Sequence, residues 1–91
     1  MALGIRHLVA ANRFEVIVDG FVCELDYTLH DKVMSINHTG VPSEVGGRGI
    51  AGELVRMALE TARREGWKVV PACSYAQVWM ERHPEFADMR A

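Results

Sequence analysis

The chain has 91 residues, enough for one hydrophobic core, so we treat residues 1–91 as a single domain. Hydrophobic residues make up 49% and charged residues 24%, which is ordinary for a folded soluble protein and excludes a disordered tail. The formal net charge of -2 disfavours a nucleic-acid-binding protein, and no apolar run approaches the roughly 20 residues that a membrane-spanning helix needs.

Residues 1–12 show no clear period, and we predict no element for this lead-in. From Arg13 to Asp19 apolar and polar residues alternate, which is typical of a half-buried strand, and Asp19-Gly20 predicts a turn. Residues 21–29 alternate in the same way and form the second predicted strand. The alternation predicts an antiparallel hairpin with one packed face and one polar face.

A third predicted strand follows a turn at residues 30–32. Its alternation places Met34, Ile36 and His38 toward the core and Thr39 on the polar side. Three strands in this order predict an antiparallel meander, and the packed face of the meander requires a covering helix.

The covering helix is predicted over residues 49–65, where apolar side chains recur at spacings of three and four. Gly66 is a suitable C-terminal stop for it. Residues 68–71 predict a short buried strand, and residues 74–83 predict a last helix with Ser74 as its N-cap. The predicted order is strand, strand, strand, helix, strand, helix, which is an α+β single domain.

The most informative segment is the glycine-rich turn before the long helix, Gly46-Gly47-Arg48-Gly49-Ile50-Ala51. Glycines let backbone N–H groups approach a ligand, and the first turn of a helix adds unpaired donors and a positive dipole end. An anionic pyrophosphate fits such a turn. The segment lacks both the Lys-Ser/Thr of a Walker loop and the Gly-x-Gly-x-x-Gly of a dinucleotide site. From spacing alone, a flexible turn that binds nothing is an equally good interpretation.

Four short motifs occur in order along the chain: His38-Thr39-x-Val41-Pro42, Gly47-x-Gly49-Ile50-Ala51, Pro71-x-Cys73 and His83-Pro84. In these motifs the sequence resembles the GNAT acetyltransferase superfamily, and most narrowly its small YjdJ-type GNAT-like proteins. Gly49-Ile50-Ala51 matches the end of the family's acyl-CoA signature, Gln/Arg-x-x-Gly-x-Gly/Ala. Gly46 stands where the signature has Gln or Arg, so one side-chain contact to phosphate is missing. Arg48 is our candidate for a partial substitute.

The resemblance implies a minimal GNAT-like fold, βββαβα, that binds acetyl-CoA or CoA. It implies that backbone groups near Thr39 and Val41, at the splayed end of the third strand, pair with the pantetheine arm. The phosphates would then meet residues 46–51. Ser74 and Tyr75 are further candidates for holding the cofactor or protonating its sulfur, and the alternatives are a helix cap and an aromatic anchor.

Two residues are candidates for catalysis. His38 is the candidate base, because an imidazole titrates near neutral pH and an amine nucleophile must lose a proton. The alternative, a histidine that only hydrogen-bonds backbone at the strand end, is somewhat favoured. Cys73 lies beside the expected acyl-transfer cleft and is a candidate to take the acetyl group as a thioester or to protonate the CoA thiolate. Packing as a small apolar side chain is an equally good interpretation.

We therefore expect an acetyl-CoA-dependent N-acetyltransferase that acts on a primary amine, either a small molecule or a protein side chain. The alternatives are a CoA-binding module without turnover and an interaction domain whose glycine turn binds nothing. Because the chain is short for a GNAT enzyme, the identity of the acceptor stays open, and either a monomer or a homodimer is compatible with the sequence.

Cysteine and histidine usage bears on metal binding and on location. The four histidines and two cysteines lack the paired spacing of a zinc site, so no metal is expected. Cys23 and Cys73 lie far apart in a chain whose start lacks signal-peptide character, which predicts reduced thiols and a cytoplasmic location. Neither nucleic acid nor a membrane is an expected partner.

Overall fold

A computed structural model describes residues 3–91 of the chain. Within that range there are five strands: β1 Arg6–Leu8, β2 Arg13–Val18, β3 Phe21–His30, β4 Val33–Gly40 and β5 Lys68–Pro71. The two α-helices are α1 Ile50–Glu65 and α2 Ser74–Glu81, and short 3-10 turns lie at Val9–Ala11, Ser43–Val45 and Pro84–Met89. One sheet in the order β1-β2-β3-β4-β5 contains all five strands, antiparallel except for the β4–β5 pair. The predicted α+β class is confirmed, but the predicted order lacks β1.

Strand β1 lies in the lead-in for which no element was predicted, and it pairs antiparallel with β2. Three residues are too few to show a period, so tertiary contacts place this strand. The His7 imidazole stacks on the Phe14 ring at 4.1 Å between centroids and lies 2.7 Å from the Tyr27 hydroxyl oxygen. Met1 and Ala2, which belong to the same predicted lead-in, lie outside the described residues.

Protonation of His7 is expected to weaken the fold. Burial, with a contribution from Arg64, lowers the pKa of His7 below its ordinary value of 6.5. The unfolded chain therefore binds more protons than the folded chain, and stability falls as the pH drops from about 6.5 toward the lower pKa of the folded state. Urea denaturation between about pH 7 and 5.5 should show this loss, and His7→Gln should flatten it. His30→Gln, at an exposed histidine, is the control that should leave the slope unchanged.

Helix α1 packs on one face of the sheet because its apolar stripe meets the inward side chains of β2, β3 and β4. Leu54, Val55, Ala58 and Leu59 are completely buried there. The helix ends where the sequence predicts, since Gly66 has a φ of 77° and its N–H donates to carbonyls of the last turn. The chain can therefore reverse at once into β5.

The opposite face of the sheet is open to solvent at several apolar positions. Ile17 and Val22, which pair directly across β2 and β3, are both exposed. The predicted strand over residues 68–71 is present as β5, but it is buried on one face only, since Val69 is buried whereas Val70 is 40% exposed. The strand alternates like the others because only one face of this sheet is packed.

A β-bulge in β4 reverses the predicted side-chain directions at the end of that strand. Asp26 opposes His38 while Tyr27 opposes Ile36, so Asn37 has no partner across the ladder. One extra residue moves every later side chain to the other face. The prediction that His38 points to the core is therefore wrong, since His38 is exposed.

Helix α2 begins at the predicted place but with a different cap. Cys73, not Ser74, is the N-cap, and its Sγ accepts a hydrogen bond from the N–H of Ala76 at 3.4 Å. The helix ends at Glu81, two residues earlier than predicted and ahead of Pro84. No helix within residues 3–91 is long and apolar enough to cross a membrane.

Candidate functional site

Strands β4 and β5 separate at one end of the sheet. Their parallel pairing stops at Ile36 and Pro71, and the N–H groups of Ala72 and Cys73 then both donate to the Ile36 carbonyl, at 2.9 and 3.0 Å. Proline has no N–H and cannot extend the ladder. Beyond Ile36, β4 pairs only with β3 within the described chain, so a gap opens beside its last residues.

Thr39 and Cys73 face each other across this gap. The bulge places Thr39 opposite Leu25, a fully buried residue, so the two share the packed face of the sheet. The Thr39 Oγ1 lies 3.6 Å from the Cys73 Sγ. Because the Ala76 N–H also donates to this sulfur, the thiol is held at the point where the strands diverge.

The glycine-rich turn lies between β4 and α1 and offers a row of backbone donors. None of the N–H groups from residues 47–51 donates to a protein acceptor within residues 3–91. Gly47 and Gly49 have φ values of 77° and 78°, in the left-handed region that glycine favours. Gly49 accepts the first helical hydrogen bond, from Glu53, at 3.1 Å. Five successive free donors at the positive end of a 16-residue helix suit an anion.

Arg48 projects from this turn toward the β2–β3 hairpin. Its Nη1 donates to the Asp19 Oδ2 at 2.7 Å, and both side chains are about half exposed or more. Exposed ion pairs contribute only about 0 to 1 kcal/mol. The guanidinium can therefore exchange Asp19 for another anion at little cost.

His38 lies on the other side of β4 from Cys73, beside Glu24. A Cβ on Gly40 would come 2.8 Å from both the Glu24 Oε2 and the His38 Nε2, so both side chains lie over this glycine. The structure thus brings Thr39 and Cys73 together but places His38 on the open face. The register of β3 against β4 decides on which face of the sheet His38 and Thr39 lie. Alternation along β4 alone does not show this register.

Tyr75 and Ser74, in the first turn of α2, have different surroundings. Ser74 is exposed and its side chain makes no hydrogen bond within residues 3–91. The Tyr75 hydroxyl oxygen lies 3.4 Å from the place where a Cβ on Gly52 would be, and burial raises the pKa of Tyr75. The phenol therefore stays protonated near neutral pH and is available as a donor.

Two residues at the same place were missed by the sequence analysis, Gly52 and Trp79. The Trp79 Nε1 lies 3.2 Å from the position of the absent Gly52 Cβ. A glycine inside a helix costs about 1 kcal/mol relative to alanine, which is a signal of close approach by another group. That signal was present at Gly52 but did not identify the approaching side chain.

Comparison with known proteins gives two matches. A family model of GCN5-related N-acetyltransferases matches residues 13–89, a range that holds every candidate site residue. A solution structure of a GCN5-like protein from Staphylococcus aureus, described as a proposed N-acetyltransferase, superposes with a TM-score of 0.77. The two sequences are 29% identical over 98% of this chain and 88% of the other.

Proposed function

The chain belongs to the GCN5-related N-acetyltransferase family, and from this membership we propose that it binds acetyl-CoA and transfers the acetyl group to a primary amine. The observation that carries the proposal is the pair of features at one end of the sheet. The N–H groups of residues 47–51 have no protein partner within residues 3–91 at the start of α1, and the gap between β4 and β5 opens along the strand that leads into this turn. A ligand with a diphosphate at one end and an extended arm at the other matches both.

In this proposal each part of the cofactor has its own binding residues. The N–H groups of residues 47–51 hold the diphosphate, with Arg48 released from Asp19 to add a positive charge. Backbone groups near Thr39 and Val41, on the free edge of β4, pair with the pantetheine arm. The thioester then lies beside Cys73, and what it supplies there is an activated acetyl group.

The chemistry requires two proton transfers. The amine nitrogen attacks the thioester carbonyl carbon, a C–N bond forms, the C–S bond breaks, and the amine loses a proton. His38 takes this proton from the open face of the sheet, where the acceptor has access. The departing sulfur receives a proton from Cys73 or from the protonated Tyr75. On a second route the Cys73 sulfur first attacks the thioester carbonyl, CoA leaves and takes up the proton that the thiol lost, and the acetyl group then passes from Cys73 to the amine, which returns a proton to the Cys73 sulfur.

Calorimetric titration tests the proposal directly. We expect saturable binding of acetyl-CoA and CoA by the purified protein, and weaker binding of dephospho-CoA if the 3′-phosphate is also contacted. Incubation of the protein with acetyl-CoA and a panel of primary amines should then release free CoA thiol. Absence of both heat and thermal stabilisation with any CoA species would refute the proposal.

A CoA-binding module without turnover is the second candidate function. Two observations favour it: Gly46 removes a phosphate-binding side chain, and His38 and Cys73 lie on opposite sides of β4. This candidate predicts saturable CoA binding with no thiol release for any amine tested.

Restoring a side chain at Gly46 is expected to tighten CoA binding. Gly46 has a φ of -66° and a ψ of 161°, which any residue adopts, and a Cβ there would lie no closer than 3.4 Å to its nearest neighbour. Gly46→Gln adds a donor to the turn and should raise CoA affinity about fivefold by calorimetry, because a hydrogen bond to a charged group is among the stronger ones. Gly46→Ala is the control and should bind like the wild type. Equal affinities for the two variants would contradict the prediction.

A further inference from the structure

The Glu24 and His38 side chains both lie over Gly40, on the open face of the sheet. Gly40 pairs directly with Glu24 across β3 and β4, and His38 pairs with Asp26 in the next row. A Cβ on Gly40 would lie 2.8 Å from the Glu24 Oε2 and 2.8 Å from the His38 Nε2. Both atoms are therefore within hydrogen-bond reach of one small polar group placed between them. We call this position, formed by Glu24, His38 and Gly40, the site above Gly40.

Glu24 lacks the close cation that its acidic neighbours have. Arg13 donates to both carboxylate oxygens of Asp26, at 2.6 and 3.2 Å, and its Nη1 lies 3.5 Å from the Glu15 Oε2. Neither of these ion pairs includes Glu24, although Glu24 lies directly opposite Glu15 on β2. Like charges that face each other across two strands are destabilising. Three carboxylates share one guanidinium here, so this part of the open face favours a cationic ligand.

The site above Gly40 adjoins the gap beside which the thioester is placed. Thr39 borders that gap on the packed face, where its Oγ1 lies 3.6 Å from the Cys73 Sγ. His38 and Gly40 are the residues before and after Thr39, so they lie on the opposite face of the same strand. Within residues 3–91 no strand pairs with this part of β4 on its β5 side. A group bound above Gly40 can therefore reach the gap from the open face.

We propose that Glu24 binds the acceptor, as an alkylammonium ion held above Gly40 between the Glu24 carboxylate and the His38 imidazole. The inference rests on the proposed function and adds to it the chemical class of the acceptor and the residue that selects it. The ammonium donates one N–H to the Glu24 Oε2 and a second to the His38 Nε2, and charge-assisted hydrogen bonds of this kind are among the stronger ones. Its third N–H faces the gap.

This arrangement aims the nitrogen at the thioester. Loss of the third proton to solvent leaves a lone pair directed at the carbonyl carbon. As the C–N bond forms, His38 takes the proton that it already accepts, while the C–S bond breaks and the sulfur receives its proton from Cys73 or Tyr75. The N–H that Glu24 holds remains in the amide product. Glu24 thus binds the acceptor, whereas His38 moves its proton.

Glu24→Gln tests the proposal, since it removes the charge and keeps the size of the side chain. In the transfer assay we expect the KM for 1,4-diaminobutane to rise about tenfold with kcat nearly unchanged, the effect of losing a hydrogen bond to a charged group. The KM for hydroxylamine, whose nitrogen is mostly uncharged at neutral pH, should change much less. CoA affinity measured by calorimetry should equal that of the wild type. An unchanged KM for the diamine, or an equal rise for hydroxylamine, would overturn the proposal.

Asp31→Asn is the matched control. Asp31 is an exposed carboxylate whose Oδ2 lies 3.4 Å from the Nε2 of His30, so this variant also removes a charge beside a histidine. It lies in the turn between β3 and β4, and the KM for the diamine should stay at the wild-type value. An equal rise in both variants would assign the effect to the net charge of the protein and would overturn the role of Glu24.

An NMR titration makes the test independent of turnover. Addition of 1,4-diaminobutane to the CoA-saturated protein should shift the ring resonances of His38 and leave those of His30 in place. Glu24→Gln should lose this shift, and so should Gly40→Ala, whose Cβ would displace both polar atoms at a residue that is not in the left-handed region. An unmoved His38 resonance in the wild type would overturn the inference while leaving CoA binding intact. Failure of the wild type to bind CoA would instead refute the proposed function and this inference with it.

Discussion

Gly49→Leu is expected to lower CoA affinity at least about 100-fold, because a side chain at this position enters the space assigned to the diphosphate. Gly49 has a φ of 78°, and a Cβ there would meet no atom within 4 Å. The first atom of a side chain at residue 49 would therefore clash with no protein atom, and the side chain would obstruct only a bound ligand. A side chain in the left-handed region costs about 1 to 2 kcal/mol, so a moderate loss of stability is expected as well.

Gly66→Leu is the matched control for this experiment. Gly66 lies at the other end of the same helix, has a φ of 77° and also has no neighbour within 4 Å of its Cβ position. Chemical denaturation should show similar stability losses for the two variants, whereas calorimetry should show lost CoA binding for Gly49→Leu alone. If Gly49→Leu binds CoA like the wild type, the glycine turn does not bind the diphosphate.

Cys73→Ser and Cys73→Ala are expected to lower the rate of acetyl transfer about 100-fold, the lower end of the range for loss of a proton-transfer group, with CoA affinity nearly unchanged. The Cys73 Sγ also caps α2, so the two variants separate the cap from the chemistry. Serine is a preferred N-cap, whereas alanine removes the cap and costs about 1 kcal/mol. Equal losses of rate in both variants therefore indicate the thiol.

Cys23→Ala is the control for a general effect of losing a thiol. Cys23 is completely buried on β3, and burial raises the pKa of its thiol. This variant should lose some stability and keep its transfer rate when it is assayed well below its melting temperature. Full activity in Cys73→Ser would remove Cys73 from the mechanism and leave the cap as its role.

Much of the fold follows from patterns that are local in the chain. Alternation in β2 and β3 and the three- and four-residue spacing of α1 depend on how each segment meets one packed face. The reversal at Asp19-Gly20 and the stop at Gly66 follow from backbone angles that few residues adopt. The glycine turn and its place before α1 were visible for the same reason.

Other features depend on which segments meet in space. β1 exists because His7 reaches Phe14 and Tyr27, and three residues alone carry no period. The bulge at Asn37 follows from the register of β3 against β4, and it alone decides that Thr39 faces Cys73 while His38 faces solvent.

The sequence by itself determined the class of the fold, the glycine-rich turn before α1 and, through ordered motifs, the family, since each depends on residues near one another in the chain. Only the tertiary structure decided the direction of His38, the cap formed by Cys73 and the close approach of Tyr75 and Trp79 to Gly52. The physical reason is that pairing register and close approach are properties of two segments at once. A pattern along one segment reports which face is buried, but not which atoms of another segment come to lie against it.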